Sequence, residues 1–258
     1  MKWKLAAVLC LIAGVSHAEL KGKTIDYKEG KNILEGYLVY DDAVQGKRPG
    51  VVVVHDWMGE SPFTHDRADQ LAKMGYIALS ADIYGKGVRP KDTKEAMALV
   101  PVYKGNRPLL RARVKAALDT LLAQPQTDAA RVAAIGYCFG GTAVLELARS
   151  GAPIAGVVTF HGGLDTPTPE DAKNIKAKIL ALHGADDPFV SPAQVAAFEK
   201  EMTDAKVDWQ LVKYSGAVHA FAVPTAGSDN STGAAYNERA ARRAWQAMKD
   251  FFAEIFNK

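Results

Sequence analysis

Ile135-Gly136-Tyr137-Cys138-Phe139-Gly140-Gly141 decides how this chain is read. The segment ends a β-rich run, Arg131 to Tyr137, and opens a helical one, so its G-x-C-x-G-G pattern sits at a strand-to-helix turn. A nucleophile flanked by glycines two residues away on either side of such a turn is a nucleophile elbow, here with Cys in place of Ser. The glycines let strand and helix pack closely while the turn lifts the sulfur above the sheet edge. Beside a helix N-terminus a thiolate is favoured. The turn also aims the backbone N–H of Phe139 at a carbonyl oxygen under attack. A glycine-rich turn can instead be structural or cradle a phosphate. The segment, however, matches neither G-x-x-x-x-G-K-[ST] nor G-x-G-x-x-G.

Working outward, short β-rich runs alternate with helical patterns from residue 50 onward, which predicts a mainly parallel sheet with helices on both faces. Two antiparallel strands are expected first, at Thr24 to Tyr27 and Ile33 to Tyr40. Val51-Val52-Val53-Val54 is a continuous β-branched run of the kind buried on both faces. Helices are predicted over Thr64 to Met74 (with Gly75 as the cap), Lys94 to Val100, Arg107 to Ala123, Pro192 to Met202 and Ala234 to Phe256. The remaining strands are expected at Tyr76 to Ala81, Arg131 to Tyr137, Ala155 to Phe160, Lys178 to Leu182 and Val207 to Tyr214. No repeat or linker-like stretch interrupts this pattern, so one domain over residues 19–258 is expected.

A nucleophile on such a scaffold needs an acid and then a histidine, in that chain order. Leu182-His183-Gly184-Ala185-Asp186-Asp187-Pro188 follows a strand and offers two carboxylates, between which spacing does not choose. Val218-His219-Ala220-Phe221 follows the last strand and offers one histidine as general base. His55 and His161 also fall at strand ends, where they can line the site. His183 reads as a strand cap and His65 as a helix-surface residue. The histidines are not spaced as metal ligands, so neither metal nor cofactor is expected.

The chain of 258 residues is 48% apolar and 24% charged, an ordinary globular composition. Met1-Lys2-Trp3-Lys4, the apolar run Leu5 to Val15 and the small-residue exit Ser16-His17-Ala18 follow the order of a secretory signal peptide. The run is too short for a membrane span. Residues 1–18 are therefore expected to be removed, which implies export, and a periplasmic location is expected. The formal charge then falls from +3 to +1, with 30 basic against 29 acidic residues. That balance carries no nucleic-acid footprint. Cys10 leaves with the signal, so Cys138 is the sole remaining cysteine and can form no internal disulfide. A monomer acting on a small molecule is expected.

The segments V-V-V-V-H-D-W-M-G, G-Y-I-A-L-S-A-D-I-Y-G-K, G-Y-C-F-G-G, H-G-A-D-D-P-F-V and V-H-A-F-A together resemble the dienelactone hydrolase family of α/β-hydrolases. The resemblance implies the α/β-hydrolase fold, Cys138 as nucleophile and His219 as base. It selects Asp187 over Asp186, because the family's acid directly precedes the position of Pro188. It also implies a second oxyanion amide at Trp57. Before it stands a residue that contacts the resting cysteine, glutamate in the family and Asp56 here, one methylene shorter. The family's two carboxylate-holding arginines fall at Lys86, which keeps the charge without the bidentate fork, and at Val223, which loses it. Arg89 and Arg111 are candidates to compensate, each reading first as an ordinary surface arginine. The expected reaction is hydrolysis of a small ester or lactone through a thioester. A cysteine peptidase or acyltransferase would share the triad, and a non-catalytic binding protein could share the scaffold.

Overall fold

The computed structural model describes residues 19–256; the predicted signal peptide lies outside the described residues. Eight strands form one sheet: β1 (Leu20–Glu29), β2 (Asn32–Asp41), β3 (Arg48–Val54), β4 (Ile77–Ala81), β5 (Thr127–Tyr137), β6 (Gly156–Phe160), β7 (Lys178–Gly184) and β8 (Trp209–Tyr214). Their spatial order is β1-β2-β4-β3-β5-β6-β7-β8. The β1–β2 and β2–β4 pairs are antiparallel and every later pair is parallel. This is the α/β-hydrolase fold.

Among the described residues six α-helices cover the sheet: α1 (Pro62–Lys73), α2 (Thr93–Lys104), α3 (Arg107–Leu122), α4 (Phe139–Arg149), α5 (Pro192–Asp204) and α6 (Glu238–Phe256). The alternation of a strand's side chains divides the core. Val51 and Val53 pack with α1 and α6, through residues such as Leu71, Ala244 and Phe252. Val52 and Val54 pack with α3, α4 and α5, through residues such as Val114, Leu147 and Phe198. All four valines are fully buried, as their unbroken apolar run demands. No helix among the described residues is long and apolar enough to cross a membrane.

Two departures from the sequence reading bear on the site. The second helix does not stop before Pro101 but continues to Lys104. Proline forfeits one amide donor, but the turn beyond it still forms, with Gly105 N–H donating to the Pro101 carbonyl. The last helix starts at Glu238 rather than Ala234. Residues 233–235 instead run beside His219: its N–H donates to the Gly233 carbonyl, and Ala235 N–H donates to the His219 carbonyl. Asn237 then accepts from Ala240 N–H and ties its own amide to the Gly216 carbonyl.

Candidate active site

Cys138 stands between β5 and α4 with φ 53° and ψ −114°, a conformation few non-glycine residues adopt. The neighbouring glycines make it possible. A Cβ on Gly136 would lie 2.1 Å from the Gly140 carbonyl oxygen, and one on Gly140 would lie 2.3 Å and 2.4 Å from the carbonyls of Val54 and His55. The elbow is thus wedged against the end of β3, and any side chain at either glycine would force it open.

The loops after β7 and β8 bring the acid and the histidine to it. His219 Nε2 lies 3.0 Å from Cys138 Sγ, and its Nδ1 lies 2.8 Å from Asp187 Oδ2. Asp187 is buried, and its other oxygen accepts from Phe189 N–H at 2.8 Å, which fixes the carboxylate plane. Asp186, which the sequence could not distinguish from Asp187 by spacing, is exposed. Burial disfavours a charged His219 ring, but hydrogen bonds to Asp187 and Cys138, reinforced by their negative charge, outweigh it and push its pKa up to about 10.

The loop after β3 carries the other expected groups. His55 is fully buried; its Nε2 accepts from Ile83 N–H, so the proton belongs on Nδ1, 2.6 Å from the Asp56 carbonyl. The Tyr84 hydroxyl donates to the Trp57 carbonyl at 2.9 Å. One oxygen of Asp56 accepts from Met58 N–H at 2.8 Å, and burial raises the pKa of that carboxyl. Among the described residues, the hydrogen bonds that pin this loop leave the Trp57 N–H without a backbone partner. Phe139, the first residue of α4, has an N–H that precedes the helix's own ladder.

Cys138, His219, Trp57 and Phe189 line two cavities that meet at the sulfur. The smaller, about 330 Å³, runs under α2 past Met97, Pro101 and Thr142. The larger, about 590 Å³, runs past Met58, Ala220, Val223 and Thr232. Phe189 stands between them, 62% exposed, with its ring edge-on to His219. Nothing in its local sequence marked it beyond its position after the acid.

Lys86 is not brought to this cleft: its ammonium lies 2.7 Å from Asp26 and 3.5 Å from Glu35, and it lines neither cavity. The proposed substrate-holding role of Lys86 has no support in its placement. Arg89 is held by Glu60, and Arg111 by Glu146 and Asp171, so neither replaces an arginine in the cleft. His161 lies behind the site rather than in its wall, buried, 5.3 Å from the His219 ring, with neither nitrogen hydrogen-bonded among the described residues. Burial first, and then the neighbouring His219, hold its pKa well below 6.5.

The model of the Dienelactone hydrolase family matches residues 34–256. Among solved structures, "m3DLH" is 43% identical, covers 92% of this chain and 99% of its own, and superimposes with a TM-score of 0.89. A dienelactone hydrolase-like promiscuous phosphotriesterase, P91, from metagenomic libraries is 41% identical over 93% of this chain and 99% of its own, with a TM-score of 0.87. Protein usf of Aquifex pyrophilus is 26% identical over 236 residues, covering 90% of this chain and 98% of its own. The chain is therefore a hydrolase-fold protein that belongs to the dienelactone hydrolase family.

Proposed function

We propose that this protein hydrolyses a small ester or lactone through a covalent thioester on Cys138. The observation that carries the reading is the unbroken relay from Sγ to His219 to Asp187, at 3.0 Å and 2.8 Å, opening on a cleft large enough for a small molecule.

His219 holds the proton that Sγ gives up, and the sulfur attacks the carbonyl carbon. The oxygen that becomes negative is met by the N–H groups of Phe139 and Trp57. The C–O bond then breaks, and His219 passes its proton to the departing alkoxide. Acylation removes the negative sulfur that helped hold the proton on His219, so the ring is freed to act as base. It takes a proton from water as the water oxygen attacks the thioester, and Cys138 leaves as thiolate. Throughout, Asp187 keeps the ring in the productive tautomer.

With Val223 where a second arginine would stand and Lys86 outside the cleft, no side chain clamps a carboxylate next to the scissile group. This favours esters without a charge beside that group. The 41% identity to a promiscuous phosphotriesterase adds neutral phosphotriesters as a second class to test. Hydrolysis of p-nitrophenyl acetate, a dienelactone and a p-nitrophenyl phosphotriester by the protein and by Cys138→Ala tests the reading. Turnover of at least the acetate that is lost with the sulfur supports it; equal turnover by both proteins rejects it. Residues 1–18 further support export to the periplasm, tested by fractionating cells and sequencing the N-terminus of the exported form.

A further inference from the structure

Along α2, Met97, Val100, Pro101 and Lys104 recur at i, i+3, i+4 and i+7, and all four line the smaller cavity. The stripe ends in a charge. Lys104 also walls a recess of about 560 Å³ together with Arg107, Asp165 and Thr166, and Val100, Pro101 and Lys104 line both it and the smaller cavity. Lys104 Nζ lies 2.9 Å from Asp165 Oδ1, and Arg107 Nη2 lies 3.1 Å from Asp165 Oδ2.

Two cations therefore share one carboxylate, leaving one positive charge uncompensated. Arg107 is only 7% exposed, yet its Nε and Nη1 have no hydrogen-bond partner among the described residues. Buried guanidinium donors without acceptors are costly unless a ligand or water meets them. Arg107 also opens α3, a helix of 16 residues whose N-terminal amides add positive potential. The opposite chamber differs: outside the triad, Asp56 is the only ionisable residue lining it among the described residues. One end of the cleft thus carries two cations and the other a single buried carboxyl.

We propose that Lys104 and Arg107 form an anion subsite that takes a carboxylate carried by the substrate at a distance from the scissile ester. This rests on the hydrolytic reading above and names its preferred substrates: half-esters of short dicarboxylic acids, with the free acid under α2 and the uncharged end toward Val223. The subsite lies across the cleft from Val223 and apart from Lys86, so it uses neither position at which the family resemblance places an arginine. Asp165 is the competitor that an incoming carboxylate must partly displace.

The test compares p-nitrophenyl hemiglutarate with its near-isostere p-nitrophenyl pentanoate. The ratio of their kcat/KM values is expected to favour the hemiglutarate, through KM. In Lys104→Gln that ratio should fall roughly three- to tenfold, and in Asp165→Asn it should rise. A merely structural role would not move it in opposite directions. Added salt should shrink the ratio in the wild-type protein. Independently of turnover, glutarate should bind Cys138→Ala saturably and more weakly when Lys104→Gln is added. Ratios that stay together in both variants, or glutarate binding that ignores Lys104→Gln, overturn the subsite. If Cys138→Ala abolishes turnover while the ratios stay put, the subsite alone fails. If turnover survives Cys138→Ala, the hydrolytic reading fails.

Discussion

His219 holds a proton because of what lies on either side of it. Burial opposes the charge, and the Asp187 and Cys138 contacts overcome that cost, placing its pKa at about 10. Part of the elevation belongs to the sulfur. Removing it in Cys138→Ala should move the His219 pKa down, measurable by NMR titration of the ring; an unchanged titration would mean that Cys138 and His219 do not share a proton. The acid makes a sharper residue-scale prediction. Asp187→Asn should lower kcat by about 10²–10⁴-fold by spoiling the tautomer, whereas Asp186→Asn, on an exposed side chain, should stay within about twofold. Equal effects on kcat would dissolve the assignment. Spacing could not separate these adjacent carboxylates; burial does, because only Asp187 turns inward to the histidine.

Among the elements, the loop after β3 does the positioning that the sequence hid. The Tyr84 hydroxyl holds the Trp57 carbonyl, and Tyr103 in turn holds the Tyr84 carbonyl. Tyr84→Phe should therefore lower kcat about tenfold with KM little changed, since only the aim of the Trp57 peptide loosens. A change in KM alone would assign Tyr84 to substrate binding instead. At the elbow, Gly140→Ala pushes a methyl into the carbonyls of Val54 and His55 and should destabilise the protein by roughly 3 kcal/mol, read as a lower midpoint in urea. The elbow, the valine run and the succession of strands along the chain were legible because each follows from short-range rules: glycines at a tight turn, β-branched runs, caps. The start of α6 was not. Ala234 and Ala235 look helical by composition, yet the backbone of residues 233–235 is used to pin His219, a partnership set by tertiary contact. Lys86 misled for a related reason: its charge is spent on Asp26 and Glu35, carried by the two antiparallel strands at the sheet edge. The α2 stripe could have been found, since Met97, Val100 and Lys104 keep helical spacing across Pro101.

For the whole molecule, buried histidines set how stability varies with pH. His55, His161 and His183 all have pKa values lowered chiefly by burial. Above about pH 6.5 they are neutral in both folded and unfolded chains. Below it the unfolded chain binds protons that the folded one refuses, so stability falls with falling pH, by up to about 1.4 kcal/mol per pH unit for each group. His219 has the opposite sign: its contribution is complete below about pH 6.5 and is lost as pH rises through about 10. Thermal melts should therefore peak near neutrality, and His161→Gln should flatten the acid limb. An acid limb of unchanged slope in that variant would show that His161 titrates normally in the folded protein.

In the proposed reaction the sulfur of Cys138 carries the acyl group. The direct measurement is acid quenching of the protein during turnover of p-nitrophenyl acetate, followed by peptide mass spectrometry. An acetyl adduct is expected on the peptide containing Cys138, accumulating in His219→Gln as deacylation slows, and absent from Cys138→Ala together with turnover. An adduct on another residue, or continued turnover by Cys138→Ala, would contradict it.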